Sequence, residues 1–256
     1  MVEGAASIRI EDQGAVRIIT IDREARSNAL DAATSDAISR AVDDVENDPA
    51  IRVLVLTGAG DRAFCAGMDL KEAAARGAGH GLVPGRGFAG ITERRRSKPL
   101  IVAANGAVVA GGFELALAAD IVIAADHAVF GLAEVKRGLF AFAGGIQRLA
   151  RSVPRATALH LILTGEPIGA DRAFALGLVS EVVPAAQLMA RALAVAQDIA
   201  AFDRDTVRRA LALHDYAADT PIHESLSFGR IYGEETLGST AEQEAIRAYA
   251  EGRAKP

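Results

Sequence analysis

The chain has 256 residues, of which 50% are hydrophobic, and its 28 Lys and Arg residues against 33 Asp and Glu residues give a formal net charge of -5. Such a chain can bury one large core with a small helical appendage, and its acidic balance disfavours nucleic acid and anionic membrane as partners. Its one cysteine, Cys65, excludes an internal disulfide, so a reducing cytoplasm is the expected location.

Strands and helices alternate through the first two thirds of the sequence. Two stretches of alternating polarity, 7–11 and 15–21, flank the turn formed by residues 12–14 and predict a β-hairpin. Apolar residues at helical spacing predict an amphipathic helix over 34–47. Continuous apolar runs predict buried strands at 51–56, 100–104 and 121–124. The alternation predicts an α/β layer architecture.

Two other regions differ from this pattern. From Pro154 onward the sequence predicts mostly helix, with one short apolar run at 178–183. The glycine-rich stretch 76–90 is too polar and too broken for a regular element and predicts a mobile loop. That loop is either a passive surface excursion or a lid over a substrate. The sequence contains no signal-peptide core and no apolar stretch long enough to span a membrane.

The segment 110–120 predicts a helix that begins near Gly111. The first N–H groups of a helix have no internal acceptor, and the two glycines there let a ligand oxygen approach the backbone. Glu114 lies in the first turn among apolar neighbours, either as an ordinary helix-start glutamate or as a catalytic group.

Two further segments can complete a catalytic site. The segment 64–71 passes from a strand into a helix and offers a second set of N–H groups, or it is only a structural connection. Two backbone donors on one carbonyl oxygen would stabilise the charge that develops on a thioester. Glu134 follows small and apolar residues, although a solvated salt bridge with Lys136 or Arg137 also explains it. Two carboxyl groups in a partly dry pocket can divide the roles of acid and base that hydration requires.

Four motifs in this order, FCAGMDLK, KPLIVAANGAVVAGGFELALAAD, FGLAEVKRGLF and AGGIQRL, resemble the crotonase family, also called the enoyl-CoA hydratase/isomerase family. The resemblance covers nearly the whole chain. It implies an α/β fold in which ββα units repeat as a spiral, with the CoA and active site in residues 1–190. It also implies a helical region, 191–256, that packs between the subunits of a homotrimer or a dimer of trimers.

The resemblance assigns roles to particular residues. The N–H groups of Met68 and Gly111 form the oxyanion hole, and Glu114 and Glu134 hold the water. Glu114 mainly activates that water, and Glu134 exchanges the proton at the α-carbon. The residues expected to bind CoA or substrate, with Arg26 and Lys71 as candidates for the phosphates, are Arg26, Ala66, Met68, Asp69, Leu70, Lys71, Gly111 and Phe140.

The presence of both glutamates favours an enoyl-CoA hydratase, a hydro-lyase, over an isomerase, which needs only one base. A non-catalytic CoA- or RNA-binding protein is a weaker alternative, because the basic run Arg94–Arg96 is short and is interpreted as a solvated helix face. CoA is part of the substrate and no separate cofactor is expected. The histidines show no ligand spacing, so no metal is expected.

The sequence departs from the family pattern near the expected acyl pocket. Ala133 and Ala141 stand where the family commonly has proline, and because Ala141 lies in the stretch 140–143 beside that pocket, the acyl group is expected to be unusual. The stretches GGFELALAAD and PGRGFAGITE resemble carnitinyl-CoA dehydratases, whose substrate carries a quaternary ammonium. Only Phe88, Phe140 and Phe142 are aromatic residues that could line a site for that cation. Because this set is small, a plain 2-enoyl thioester is the preferred substrate.

Overall fold

The computed structural model describes residues 7–77, 79 and 81–251. The strands are β1 (Ile8–Gln13), β2 (Val16–Ile21), β3 (Val53–Gly58), β4 (Ala63–Cys65), β5 (Leu82–Val83), β6 (Gly87–Phe88), β7 (Leu100–Ala104), β8 (Ala107–Val109), β9 (Ile121–Ala125), β10 (Val129–Gly131), β11 (Ile168–Gly169) and β12 (Glu181–Val183). The helices are α1 (Ala32–Asn47), α2 (Leu70–Arg76), α3 (Gly111–Leu117), α4 (Gly145–Ser152), α5 (Arg155–Thr164), α6 (Ala170–Ala175), α7 (Leu188–Ala200), α8 (Arg204–Asp219), α9 (Ile222–Thr236) and α10 (Thr240–Ala250).

The chain adds strands to two sheets in alternation. The larger has the strand order β1-β2-β3-β7-β9-β12, and the smaller has the order β11-β10-β8-β4. The units β3-β4-α2 and β7-β8-α3 each add one strand to each sheet and then a helix, and β9-β10 is followed by the 3₁₀ turn Glu134–Arg137. The expected α/β fold of repeated ββα units is therefore confirmed.

The larger sheet is covered on both faces because its strands are apolar at successive positions. Val53 and Val55 of β3 face one cluster, which α7 completes with Leu188 and Ala192. The alternate residues of the same strand belong to the main core, which also contains Phe64, Phe113 and Phe130. Burial on both faces explains why parallel strands appear as continuous apolar runs in the sequence.

Several predicted boundaries move for local reasons. The strand β1 extends through Asp12 and Gln13, because Gln13 pairs with Val16 and the Asp12 carboxylate accepts from Arg17 Nε at 2.6 Å. Helix α1 begins at Ala32, because the Asp31 side chain accepts from Thr34 N–H at 2.8 Å and caps the helix. Of the apolar run at 178–183, only β12 is a strand.

The prediction that the glycine-rich stretch 76–90 holds no regular element is wrong. Leu82 pairs with Phe88 and Val83 with Gly87, so β5 and β6 form a short hairpin. Phe88 is buried, and its N–H donates to Thr92 Oγ1 at 2.8 Å. Burial of the Phe88 ring thus accompanies regular pairing between residues 82–83 and 87–88, in a stretch whose composition alone is typical of a loop.

The chain divides into two compact units. The first ends at Ala200 and the second begins at Ala201, so the predicted division after residue 190 falls inside α7. In the second unit α8 packs on α9, and the ring centroids of Tyr216 and Phe228 lie 4.4 Å apart. None of the helices formed by the described residues has the length and apolar character needed to cross a membrane.

Candidate active site

A cavity of about 400 Å³ in the first unit brings the predicted site residues together. The turns β4–α2 and β8–α3, the 3₁₀ turn that begins at Glu134 and the loop before α4 all contribute to its lining. Every residue predicted to act in catalysis or in CoA binding lines this cavity: Arg26, Ala66, Met68, Asp69, Leu70, Lys71, Gly111, Glu114, Glu134 and Phe140. Their roles stay predictions, but their proximity is a property of the fold.

Two backbone turns meet at one end of this lining. Gly67 has a φ of +84°, and a β-carbon at this position would lie 2.8 Å from the Gly111 nitrogen. Leu30 holds the first turn from both sides, because its N–H donates to Gly67 O and its carbonyl accepts from Asp69 N–H, each at 2.8 Å. Within the described residues, the N–H groups of Met68 and Gly111 have no acceptor. The turns thus present two adjacent free donors.

The start of α3 is specified by close packing. A β-carbon at Gly112 would lie 2.0 Å from the Cys65 carbonyl oxygen, and one at Gly111 would lie 2.7 Å from the Phe88 ring. Ala110 adopts φ 53° and ψ -128°, a region that alanine rarely occupies, while its N–H donates to Gly131 O at 2.9 Å. Backbone strain and obligatory glycines at one turn are typical of functional sites.

Glu114 is held deep in the cavity wall. Glu114 is only 5% exposed. Its Oε1 accepts a hydrogen bond of 2.9 Å from the N–H of Gly145, the first residue of α4. Burial, together with the negative charge of Glu134, raises the pKa of Glu114 to about 7, although the hydrogen bond from the Gly145 N–H opposes this shift. Glu114 therefore exchanges a proton near neutrality.

Glu134 begins the 3₁₀ turn Glu134–Arg137 and is half-buried. Its Oε2 is enclosed and has no hydrogen-bond partner among the described residues, and burial raises the pKa of its carboxyl. No ion pair joins it to Lys136 or Arg137 in the part of the chain that the structure describes, although the Arg137 charge lowers its pKa. A buried carboxylate oxygen without a partner needs a proton or a bound molecule.

Asp69 has a structural part in the predicted CoA segment. Its side chain accepts from Lys71 N–H at 3.0 Å, which caps α2, and from Arg23 at 3.2 Å. Although burial alone would raise it, the pKa of Asp69 is lowered by these two donors. Its side chain therefore fixes the segment 66–71, whereas Arg26 and Lys71 are exposed at the cavity lining.

Some participants escaped sequence reasoning. Gly145, the donor to Glu114, follows Gly144 at the start of a helix, the same signal that marked Gly111 and Gly112. Arg137 also lines the cavity, although the sequence suggested only a salt bridge for it.

The basic run Arg94–Arg96 is not on a helix, so its interpretation as a solvated helix face is wrong. Arg94 pairs with Asp43, and Arg96 makes bonds of 2.7 and 3.0 Å to Asp120. These ion pairs involve two of the three cations of the run.

Comparison with known proteins gives a consistent result. The family model for enoyl-CoA hydratase/isomerase matches residues 11–256. A carnitinyl-CoA dehydratase of Escherichia coli O157:H7 is 38% identical over 225 residues, 88% of this chain and 86% of that protein. The crystal structure of an enoyl-CoA hydratase from Mycobacterium tuberculosis superimposes with a TM-score of 0.92 at 36% identity over 98% of each chain. A carnitinyl-CoA hydratase from Mycobacterium avium gives a TM-score of 0.77 at 41% identity over 98% of this chain and 97% of that one.

Proposed function

The chain belongs to the enoyl-CoA hydratase/isomerase family, and we propose that it catalyses the reversible hydration of a 2-enoyl-CoA to a 3-hydroxyacyl-CoA. One observation carries the proposal. Glu114 and Glu134 line the same cavity as the free N–H groups of Met68 and Gly111. An isomerase needs one base, whereas addition of water needs a base for the water and an acid for the carbon.

The two backbone donors act on the thioester carbonyl. Negative charge grows on this oxygen when water adds to the double bond, and the N–H groups of Met68 and Gly111 stabilise it without having to reorganise. Steric constraints at Gly67 and Gly112 keep these donors in place. Removal of one donor from such a site typically slows an enzyme about 10²- to 10³-fold.

The two carboxyl groups move the protons. Between their two pKa values the pair holds one proton, and the deeper burial of Glu114 favours that residue as its carrier. In dehydration Glu134 takes the α-proton while Glu114 protonates the departing hydroxyl. Hydration starts from the other tautomer of the singly protonated pair, in which Glu134 carries the proton. Glu114 then accepts a proton from water and Glu134 delivers its proton to the α-carbon. The reaction moves only water and protons, so it uses no cofactor apart from the CoA of the substrate.

The remainder of the cavity would hold CoA. The backbone of the segment 66–71 faces the cavity beside the donors, and Arg26 and Lys71 add positive charge for the phosphates. Exposed apolar residues in the second unit support assembly as a homotrimer or a dimer of trimers: Ile222, Leu226, Ile231, Leu237, Ile246 and Tyr249.

Carnitinyl-CoA is the second candidate substrate. The rings of Phe140 and Phe142 stand edge to face with centroids 6.0 Å apart, and both residues and Phe88 line the cavity. Aromatic faces attract a quaternary ammonium. The identity to carnitinyl-CoA dehydratases supports the same substrate.

An absorbance assay at the conjugated thioester band tests reaction and substrate together. We expect short 2-enoyl-CoA to lose this absorbance and to form 3-hydroxyacyl-CoA, with longer and ammonium-bearing enoyl-CoAs as comparison substrates. Consumption of a 3-enoyl-CoA without any hydroxyacyl product would instead identify an isomerase. Since the singly protonated pair is the working form, kcat/KM should fall above a pH of about 7 as the pair loses its one proton, and at acidic pH as the pair gains a second proton.

A further inference from the structure

Arg148 lies in α4, the helix whose first N–H group holds Glu114. Arg148 is half-buried, and its side chain folds back over the start of its own helix. The close approach is shown by Gly144, where an added β-carbon would lie 2.0 Å from Arg148 Nη1. There Nη2 donates to the Thr92 carbonyl. The sequence assigned this side chain no role beyond membership of the AGGIQRL motif.

This position is electrostatically unfavourable for a cation. The start of a helix carries partial positive charge, and burial disfavours an ion. Burial lowers the pKa of Arg148, and the neighbouring Arg96 and Arg151 lower it as well. An arginine nevertheless remains charged in proteins, so anions must compensate for it. The compensating groups are Glu114, on the facing helix α3, and Glu93.

Among the described residues, two charged groups contribute to the pKa of Glu114 most clearly. Glu134 acts on it with a negative charge, and Arg148 acts on it with a positive one. Cys65, in the strand β4 against which α3 packs, is neutral, because burial raises the pKa of its thiol to about 12. Arg148 thus offsets the repulsion that Glu134 imposes on the Glu114 carboxylate.

Arg148 also connects to the oxyanion hole through a short chain of contacts. Thr92, whose carbonyl accepts from Arg148, receives the Phe88 N–H on its hydroxyl at 2.8 Å. The Phe88 ring in turn lies where a β-carbon of Gly111 would be, at 2.7 Å. The Arg148 guanidinium therefore contacts the Thr92–Phe88 segment, which covers Gly111. It also lies at the start of α4, where Gly145 donates to Glu114.

We infer that Arg148 is a positioning residue of the proposed hydratase, which sets the charge balance of Glu114 from the start of α4 and fixes the Thr92–Phe88 segment over Gly111. The inference rests on the proposed function. Arg148 itself does not line the cavity, so it acts through Glu114 rather than on the substrate.

Two replacements separate charge from structure. Arg148→Gln keeps an amide donor and removes the charge, whereas Arg148→Lys keeps the charge. Loss of the cation should make Glu114 a weaker acid, so the alkaline limb of kcat/KM should move up by about 0.5 to 1 pH unit in Arg148→Gln. The limb should stay in place in Arg148→Lys and in the control Arg151→Gln, which removes an exposed cation from the same helix.

A lower rate at every pH with an unmoved alkaline limb would show a merely structural role and overturn the inference. The protonated-carboxyl infrared band that disappears in Glu114→Gln gives a readout independent of turnover, and it should titrate at higher pH in Arg148→Gln. If the wild-type enzyme hydrates no enoyl-CoA, the proposed function fails while this band still decides on Arg148. Should Arg148→Gln not fold, Arg148→Met replaces it. If neither folds, the charge serves stability rather than Glu114, and the inference is wrong.

Discussion

The cavity has two unlike sides. The donor wall, residues 65–69 and 109–112, is built from turns in which added atoms would collide with backbone. The aromatic wall, formed by Leu139, Phe140 and Phe142, is 39%, 65% and 43% exposed. Close steric contacts constrain the donor wall, whereas the aromatic wall is held by fewer contacts, among them the Phe140–Phe142 ring pair and the hydrogen bond from Leu139 N–H to Glu134 O. We therefore expect the fold to constrain the proposed reaction more tightly than the choice of acyl group.

The largest effect should come from the carboxyl pair, which lines the same cavity as the two walls and belongs to neither. Glu134→Gln keeps the shape of the side chain but cannot exchange the α-proton. We expect kcat to fall about 10³-fold, within the usual range for loss of a general acid or base. Binding of a CoA thioester should stay nearly unchanged, which isothermal titration with a 3-hydroxyacyl-CoA measures. An enzyme that kept full hydratase activity would show that one glutamate suffices and would contradict the role proposed for Glu134.

The next effect tests whether the donor wall is as constrained as its geometry indicates. In Gly67→Ala the new methyl group would lie 2.8 Å from the Gly111 nitrogen, so one or both donors must move. We expect kcat to fall about 10²-fold. The matched control is Gly85→Ala, since Gly85 has a φ of +69° and no atom within 4 Å of an added β-carbon.

Both glycine variants should share a loss of about 1 kcal/mol of stability, because both place alanine at positive φ, and Gly67→Ala should lose more because of its contact with Gly111. Thermal unfolding measures this shared cost, and the steady-state assay measures the difference between them. Equal losses of kcat in the two variants would mean that positive φ alone, rather than contact with Gly111, makes Gly67 necessary.

The same contrast explains what the sequence could predict. Local sequence was enough to predict the turn that holds Gly111, Gly112 and Glu114. These residues lie within four positions, a predicted strand precedes them and helix-forming residues follow them. The buried strands were predictable because parallel strands covered on both faces are continuously apolar. The roles of both glutamates came from resemblance, since each had a plausible structural explanation on its own.

Contacts between distant parts of the chain could not be predicted in this way. Gly145 holds Glu114 across 31 residues, and Arg148 contacts Thr92 across 56. The β5–β6 hairpin depends on burial of the Phe88 ring against Gly111, which no property of the glycine-rich stretch reveals. Such features arise from tertiary packing, which overrides local propensity.

The smallest effect should come from the aromatic wall, where Phe140→Ala removes one ring of the Phe140–Phe142 pair. Because Phe140 is 65% exposed, its ring can add only a modest contact to the acyl group. We expect KM to rise about 2- to 10-fold for a long or ammonium-bearing enoyl-CoA, the scale of one aromatic contact, with kcat unchanged. The control Phe174→Ala removes a ring that is 53% exposed in α6 and does not line the cavity. A rise in KM confined to the ammonium substrate would identify a cation site. A rise for long acyl chains alone would identify an apolar site. No rise for either substrate would place the acyl group away from this wall.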